Sequence, residues 1–148
     1  MSKETNPKDQ LGSLKLPLHL WPMSATAFGC IGLANGMLKY GRSNWRHAGV
    51  RPSIYVDAAM RHLTDWFEGN EVDPEDGVHN LAGALACLAI LVDAKVTGKL
   101  VDDRNFNGAG WREARALMEP HMSRLLDIHA GKSPKHYTIA DAAQEQAQ

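Results

Sequence analysis

The sequence has few cysteines and no long apolar run. Its 148 residues include two cysteines, Cys30 and Cys87, which form no CxxC pair, so we interpret them as reduced core thiols of a cytoplasmic protein. The longest apolar stretch, near residues 81–92, is interrupted by Gly83 and bounded by charges. No basic segment followed by an apolar one opens the chain. We therefore expect neither secretion nor a membrane-spanning helix.

The sequence also has no strand-like alternation of apolar and polar residues and no repeat at solenoid spacing. At this length, and with 44% apolar residues, the chain is expected to fold as one all-α domain spanning residues 1–148. No histidine is followed directly by an aspartate, which argues against an HD-type metallohydrolase.

Acidic residues are missing from one long segment and concentrated in another. No Asp or Glu occurs from Gln10 to Val56, whereas the stretch from Glu71 to Asp103 holds seven acids and two lysines. The net charge of −1 therefore hides a cationic segment suited to anions and an acidic segment suited to cations. The near-neutral sum itself argues against a protein that coats DNA.

Proline, glycine and capping residues divide the chain into expected elements. Residues 1–22 should form an extended lead. Helices are predicted over 25–38 with Ser24 as N-cap and a stop at Gly41, over 52–69, over 73–96, and over 111–129 with a break at Pro120. Residues 41–53 should form a polar loop, and residues 131–148 a polar, partly irregular tail.

The helix predicted over 73–96 has two distinct faces. Its core face is expected to hold the large apolar residues Val78, Leu81, Leu85, Leu88 and Val92. Glu75, His79, Ala86 and Asp93 should share the opposite, wet face.

Carboxylates on two neighbouring predicted helices suggest a metal site. Helical spacing lets Glu75, Asp76 and His79 converge, and Asp57 can face them if the two helices pack antiparallel. Such a set suits Mg²⁺ or Mn²⁺ better than zinc. Alternatively, Glu75 and Asp76 are only first-turn acids that stabilise the helix dipole.

Cations and aromatic residues alternate in the acid-free segment. Lys39, Tyr40, Arg42, Asn44, Trp45 and Arg46 follow one another within eight positions, a pattern that suits phosphates, stacked bases and a base edge. The alternative is a solvated loop with Tyr40 and Trp45 packed on the core. Two neighbouring residues also have alternative, purely structural roles. Arg61 would merely bridge Asp57 and Asp65 on the helix surface, and His62 would be a core histidine.

Several ordered motifs together resemble a known family. They are Asn6-Pro7-Lys8-Asp9, Lys15-x-Pro17-Leu18, Gly36-x-x-Lys39-Tyr40-Gly41-x-x-Asn44-Trp45-Arg46, Tyr55-x-Asp57-Ala58-Ala59-x-Arg61-His62-Leu63, Asp73-Pro74-Glu75-x-Gly77, Asp93-Ala94, Asp102-Asp103-Arg104 and Pro134-x-His136-Tyr137. The chain resembles the phage dATP/dGTP diphosphohydrolase family of MazZ type, within the MazG-like all-α nucleoside triphosphate pyrophosphohydrolases. The resemblance spans nearly the whole chain and implies a MazG-like helical bundle.

The resemblance implies a reaction and a divalent metal. The reaction is cleavage of a purine deoxynucleoside triphosphate, dGTP and/or dATP, to the monophosphate and pyrophosphate, which would adjust a phage nucleotide pool in the host cytoplasm. It uses Mg²⁺ or Mn²⁺ held by acidic motifs on two helices. Asp57 falls where the first motif should lie and Glu75-Asp76 where the second begins. However, Arg61 replaces an expected acid, and His79 or Asn80 stands near the place of the final one.

The resemblance and the chemistry together give candidate site residues. The expected metal ligands are Asp57, Glu75, Asp76 and His79, with Asp93, His62 or Asp65 available to complete the set. Glu75 or Asp76 would take the proton of the attacking water. Substrate contacts are expected from Lys15, Lys39, Tyr40, Asn44, Trp45, Arg46, Arg61 and His62, with the cations on phosphates, the aromatic rings on the purine and Asn44 on its edge.

Two other functions fit parts of this pattern. A non-catalytic module that binds a nucleotide or single-stranded nucleic acid would explain the cationic segment and leave the acids as helix caps. A triphosphohydrolase would release intact triphosphate. We also expect a homo-oligomer, dimer or tetramer, because Gly29, Gly32, Gly36 and the 82–84 patch permit close packing of helices from two chains.

Overall fold

The computed structural model describes residues 6–145 and is built from helices. Within that range no strand forms, and the only pairings of extended backbone are two isolated bridges, Val50 with Leu100 and Val72 with His79. The predicted all-α class is confirmed. The chain divides into two compact units, Met1–Asp102 and Asp103–Gln148. The expected single domain over 1–148 stays a prediction, and parts of the predicted lead (1–5) and tail (146–148) lie outside the described residues.

The first unit consists of five α-helices and one turn of 3₁₀-helix. They are α1 (Pro7–Gly12), the 3₁₀-helix Leu18–Leu20, α2 (Met23–Tyr40), α3 (Asn44–Ala48), α4 (Pro52–Phe67) and α5 (Asn80–Val96). Two expectations are corrected. The lead is not wholly extended, since the Asn6 side chain accepts a hydrogen bond from the Lys8 amide and caps α1. The expected loop over 41–53 contains α3.

Proline and glycine set most helix ends as predicted. Gly41 ends α2 with φ of +90°, a conformation that glycine adopts without strain. Pro52 begins α4 at a position where the missing amide hydrogen costs nothing. The predicted cap at Ser24 is wrong, because Ser24 lies inside α2, which begins at Met23 with Pro22 at the cap position.

The helix predicted from residue 73 begins only at Asn80. The Asp73-Pro74 pair resembles a helix start, but Asp73 closes a turn instead. Its Oδ1 atom accepts a hydrogen bond from the Glu75 amide at 2.8 Å, and its carbonyl oxygen accepts one from the Gly77 amide at 2.8 Å. Gly77 has φ of +71°, which a right-handed helix cannot contain. His79 caps α5 in place of the acids.

Small residues let α5 pack closely between α2 and α4. Both helices pack against α5, and a Cβ on Gly32 of α2 would collide with the Ala82 carbonyl oxygen. Gly32 is one of the glycines predicted to pack against a second chain, and in the structure it packs against α5 of its own chain. The predicted core stripe is corrected as well: Leu88 and Val92 are 48% and 64% exposed, whereas the buried α5 residues are Asn80, Ala82, Ala84, Ala86 and Ala94.

The second unit holds three further helices, α6 (Ala109–Met118), α7 (Pro120–Ile128) and α8 (Ile139–Glu145). The predicted break at Pro120 is confirmed, because α6 ends directly before it and α7 begins on it. The predicted partly irregular tail is confirmed in the described residues, because residues 132–138 form no regular element before α8 begins. Within residues 6–145, no helix is both long and apolar enough to cross a bilayer.

Both cysteines are free, as predicted. Cys87 is half-buried, but Cys30 is exposed, so the expectation that both thiols lie in the core is wrong for Cys30.

Candidate functional site

A cleft of about 280 Å³ opens over α5, with α2 and α4 as its walls. Gly83, Ala86, Cys87 and Ile90 of α5 recur at helical spacing and form its floor. The other lining residues come from α2, α3, α4 and the turn before α5: Gly32, Leu33, Asn35, Gly36, Lys39, Tyr40, Asn44, Trp45, Tyr55, Ala58, His62, Asp73, Glu75, Asp76 and Val78. This is the part of the structure where the acidic and cationic segments meet.

The turn before α5 places three carboxylates at the cleft: Asp73, Glu75 and Asp76. Its ends are tied together, because the Asp73 amide donates to the Val78 carbonyl at 2.9 Å and the Val78 amide donates to Asp76 Oδ1 at 2.9 Å. The three acids are therefore held on one rigid loop that concentrates negative charge.

Asp76 is tied to the opposite wall of the cleft. Its Oδ2 atom accepts hydrogen bonds from Asn35 Nδ2 at 2.8 Å and from Lys39 Nζ at 3.2 Å, both on α2. The bonds from the Val78 amide and from Asn35, together with Lys39, lower the pKa of this carboxyl. The same pairing raises the pKa of Lys39. Both groups are thus charged at neutral pH, and Asp76 holds the Lys39 ammonium at the cleft.

Glu75 differs from its two neighbours in the turn. Asp73 accepts from a backbone amide and Asp76 accepts from three donors, but within the described range no donor contacts the Glu75 carboxylate. Glu75 is exposed and lines the cleft. It is the acid of the turn that is free to accept a new hydrogen bond or a proton.

Helix α3 is fastened to α5 and forms an aromatic part of the cleft. Trp45 Nε1 donates to Asp93 Oδ2 at 2.6 Å, and Arg46 grips the same carboxylate through Nε at 2.8 Å and Nη2 at 2.7 Å. These bonds, that from Arg46 first, lower the pKa of Asp93 to about 2. Arg46 thus positions α3 and Trp45. Its guanidinium binds Asp93, and Arg46 does not line the cleft.

Replacing Asp93 with asparagine is expected to lower the melting temperature at neutral pH, because α3 loses its bidentate partner. The native pKa lies below the ordinary value of about 3.9, so the carboxylate stabilises the fold fully above that value, and the effect is lost as the pH falls towards about 2. Thermal unfolding of both proteins should therefore differ above pH 5 and converge near pH 2. Asp65→Asn, on an exposed position of α4, is the control, and a difference that persists at pH 2 would contradict the role of Asp93.

The predicted residues of α4 are divided between two faces. His62 lines the cleft with Tyr55 and Ala58. Asp57, Arg61 and Asp65 instead line a shallow depression elsewhere on the helix. Successive residues turn by roughly 100° around a helix, so Asp57 lies on a different face from Tyr55. The expectation that Asp57 faces the acids of the turn is wrong.

His79 also lies apart from the cleft, at the start of α5. Its Nδ1 accepts from the Leu81 amide at 3.0 Å, and its Nε2 lies 2.7 Å from Glu71 Oε2. The ring also meets the Phe28 ring edge-on, with centroids 4.9 Å apart. Both ring nitrogens are therefore engaged. Correspondingly, no group of three or more His, Cys, Asp or Glu side chains placed to hold a metal occurs in the described part of the chain.

The remaining predicted substrate contacts fall into two groups. Lys39, Tyr40, Asn44 and Trp45 line the cleft, with Tyr40 at the end of α2 and Asn44 at the start of α3. Lys15 lies in the exposed segment between α1 and the 3₁₀-helix.

Sequence reasoning missed several residues of the cleft. Asn35 binds Asp76, and its spacing of four from Lys39 on α2 is a signal that could have identified it. Tyr55 of α4 and Cys87 of α5 also line the cleft, and burial raises the pKa of both. The Cys87 thiol is therefore protonated at neutral pH and a poor nucleophile.

Comparisons with known proteins identify the family of this chain. The family model described as "dATP/dGTP diphosphohydrolase, N-terminal" matches residues 5–104, a range that includes every residue lining the cleft. A protein of Salmonella phage PMBT28 named dATP/dGTP diphosphohydrolase is 33% identical over 108 residues, which is 72% of this chain. The match covers 37% of that relative's length. No solved structure matches. By the extent of the family match, the chain belongs to the family defined by the N-terminal domain of dATP/dGTP diphosphohydrolases.

Proposed function

We propose that the chain hydrolyses purine deoxynucleoside triphosphates, dGTP and/or dATP, to the monophosphate and pyrophosphate, and so adjusts a nucleotide pool. The name of the phage relative, dATP/dGTP diphosphohydrolase, supports this substrate class. The observation that carries the proposal is the cleft, in which three carboxylates, one lysine and aromatic rings line a single space. Phosphoryl transfer needs positive charge that neutralises the phosphate oxygens and a base that activates a water, and the lysine and the carboxylates can supply these functions.

Glu75 is the best placed proton acceptor for the attacking water. Asp76 already accepts three hydrogen bonds and its pKa is lowered, so it is a weak base. Glu75 has both carboxylate oxygens available at the cleft. In the proposed reaction, the water oxygen bonds to the α-phosphorus, its proton passes to Glu75, and the bond to the oxygen bridging to the β-phosphorus breaks.

Lys39 supplies positive charge to the triphosphate. Its side chain is 47% exposed on the cleft wall, and Asp76 binds its ammonium group, so the ammonium can turn from Asp76 to a phosphate oxygen with little movement of α2. That exchange removes a donor from Asp76 Oδ2.

A divalent cation fits the oxygen donors that remain. Mg²⁺ is usually bound by one or two carboxylates together with substrate phosphates, and the turn offers Asp73 and, once Lys39 has moved, Asp76. Two such acids suit an ion that arrives with the nucleotide. Mg²⁺ or Mn²⁺ would neutralise phosphate charge and acidify the attacking water.

The aromatic side of the cleft is suited to the nucleoside. Trp45, Tyr40 and Tyr55 offer ring surfaces for a base. Asn44 lies next to Trp45 and offers an amide that can both donate to and accept from a base edge. Because Asp93 holds Trp45 by its indole nitrogen, this ring is fixed before the nucleotide arrives.

The proposal is tested with the eight common nucleoside triphosphates, with Mg²⁺ and with Mn²⁺, and with identification of the products. We expect dGTP and/or dATP to give monophosphate and pyrophosphate in equal amounts, and excess chelator to stop turnover. Release of intact triphosphate would identify a triphosphohydrolase instead. Full activity in chelator would contradict the metal, and binding without turnover of any substrate would favour a non-catalytic binding module.

Self-association completes the proposal. Val50 is the largest apolar side chain that is fully buried among residues 6–145. Large apolar side chains of α4 and α5 are 43–83% exposed, namely Ile54, Val56, Met60, Leu63, Phe67, Leu88, Val92 and Val96. Soluble monomers rarely expose so much apolar surface on adjacent elements. A second copy would cover it.

Light scattering at micromolar concentration tests the oligomer. We expect a mass of at least twice the 16.2 kDa of one chain. Replacing Phe67 with glutamate, at a position 83% exposed, should shift the population towards the monomer. A strict monomer for the unaltered chain would contradict the proposal.

A further inference from the structure

The His62 ring lies against bare backbone at the cleft floor. A Cβ atom on Gly83 would come within 2.6 Å of His62 Nε2 and 2.7 Å of Cε1, so the ring occupies the space that any other residue at position 83 would fill. Both residues line the cleft. The half-buried imidazole therefore packs between α4 and α5, with Nε2 the ring atom nearest to the Cβ position of Gly83, at a place where both residues line the cleft.

A chain of hydrogen bonds fixes the other edge of this ring. The buried Asn80, 1% exposed, donates from Nδ2 to the Asn70 carbonyl oxygen at 2.8 Å. A carbonyl can only accept, so the amide nitrogen must face Asn70 and the amide oxygen must face His62. Asn80 Oδ1 lies 3.0 Å from His62 Nδ1. Nδ1 must therefore carry a hydrogen and donate it to Asn80.

The neutral ring then has its lone pair on Nε2. A neutral imidazole has one donor and one acceptor nitrogen, and Nδ1 is the donor here. No donor to Nε2 is found in the described part of the chain. The Asn80 backbone is itself held, because its amide donates to the Glu71 carbonyl at 2.9 Å. The acceptor is thus fixed in place before any ligand binds.

We propose that Asn80 is a positioning residue that holds His62 in the Nδ1–H tautomer, so that Nε2 accepts a hydrogen bond from a hydroxyl group bound in the cleft. That hydroxyl is either the attacking water, whose other proton goes to Glu75, or a hydroxyl of the sugar. The identity of the hydroxyl rests on the proposed function. The tautomer does not, since it follows from the bonds of Asn70, Asn80 and His62.

Nitrogen NMR of the intact chain tests the tautomer without any turnover. With ¹⁵N-labelled histidine near pH 8, the His62 signals, identified by their loss in His62→Gln, should show a protonated Nδ1 and an unprotonated Nε2. In Asn80→Leu, which is similar in size but has no acceptor, the Nε2–H form should appear. Asn80→Asp, which still accepts from Nδ1, should retain the original form, and His121 on α7 should be unchanged in both variants. An Nε2–H form in the unaltered chain would overturn the proposal.

Kinetics then identify the hydroxyl donor. If the donor is water, His62→Gln and Asn80→Leu should both lower kcat by about 10²-fold, with deoxy and 2′,3′-dideoxy substrates alike. If the donor is the 3′-hydroxyl, KM should rise about tenfold with the deoxy substrate only. Asn80→Asp should retain more activity than Asn80→Leu in either case.

Circular dichroism establishes that each variant is folded. Unchanged kcat and KM in a folded Asn80→Leu with altered tautomer would overturn the role of Nε2. If the unaltered chain hydrolyses no nucleotide, the proposed function fails, and the NMR spectrum still decides the tautomer.

Discussion

Glu75→Gln is expected to lower the rate of dNTP hydrolysis by about 10²- to 10⁴-fold, the range over which a positioned proton acceptor contributes. Glutamine has the same shape, and no hydrogen bond from residues 6–145 to the carboxylate is lost. The free energy of unfolding should therefore change by less than about 0.5 kcal/mol, as for most exposed positions. The measurement is kcat with dGTP and dATP, with unfolding followed in denaturant.

Glu71→Gln is the matched control for this variant. Glu71 lies four residues earlier, and its carboxylate contacts His79 outside the cleft at 2.7 Å. The Glu71→Gln substitution removes the same charge as Glu75→Gln does, so a general electrostatic effect on turnover would appear in both variants. We expect kcat to stay within about twofold of the unaltered chain, as an exposed pair of this kind has little energetic effect. A Glu75→Gln variant with more than a tenth of the original kcat would contradict the assignment of Glu75.

Nucleotide affinity distinguishes the enzyme from a binding module in the same variant. Glu75 places a negative charge beside the proposed triphosphate position, so Glu75→Gln should bind the nucleotide at least as tightly as the unaltered chain does. A catalytic defect with retained affinity is the expected pattern. Loss of binding together with loss of turnover would instead place Glu75 among the residues that hold the substrate or its metal.

Gly32→Ala is expected to destabilise the fold by about 2–3 kcal/mol, the effect of overpacking a tight contact. The added methyl group would collide with the Ala82 carbonyl oxygen and press on Ala86 Cβ at 2.9 Å. Backbone atoms cannot rotate away as a side-chain end can, so α2 and α5 must separate. Because α2 carries Asn35 and Lys39, turnover should fall as well. Denaturant unfolding monitored by circular dichroism gives the free energy.

Gly29→Ala is a matched control three residues earlier on the same helix. Its new Cβ would lie 3.9 Å from Leu85 Cβ, an ordinary contact, and Gly29 does not line the cleft. Alanine favours a helix over glycine by about 1 kcal/mol, so this variant should be more stable than the unaltered chain. Equal stabilities for the two variants would show that α2 and α5 are not packed as described.

The sequence predicted the helices whose ends have local causes. Gly41, Pro52 and Pro120 act on the backbone beside them, and each prediction was confirmed. The start of α5 could not be predicted in this way, because Asp73-Pro74 suits both a helix start and a turn. The choice depends on bonds between the two ends of the segment, such as that from the Asn80 amide to the Glu71 carbonyl.

The candidate site was predicted in composition but not in arrangement. The acids of the turn and the cations and aromatic rings of α2 and α3 do meet at one cleft. Which partner each group takes depends on contacts between distant positions: Lys39 with Asp76 is 37 residues apart, and Arg46 with Asp93 is 47. Asp57 was misplaced because α4 is mostly exposed, so its apolar pattern does not indicate which face meets α5.

The packing of α5 makes the width of the cleft depend on the contacts between its helices as well as on the side chains that line it. Both walls pack on one floor helix, and the distance between α2 and α5 depends on the absence of a side chain at Gly32, which lies against the Ala82 carbonyl group. Each carbon atom added at such a position would increase the distance between α2 and α5. Selection for altered substrate size is therefore expected to yield substitutions at small residues between the helices as well as at the larger side chains that line the cleft.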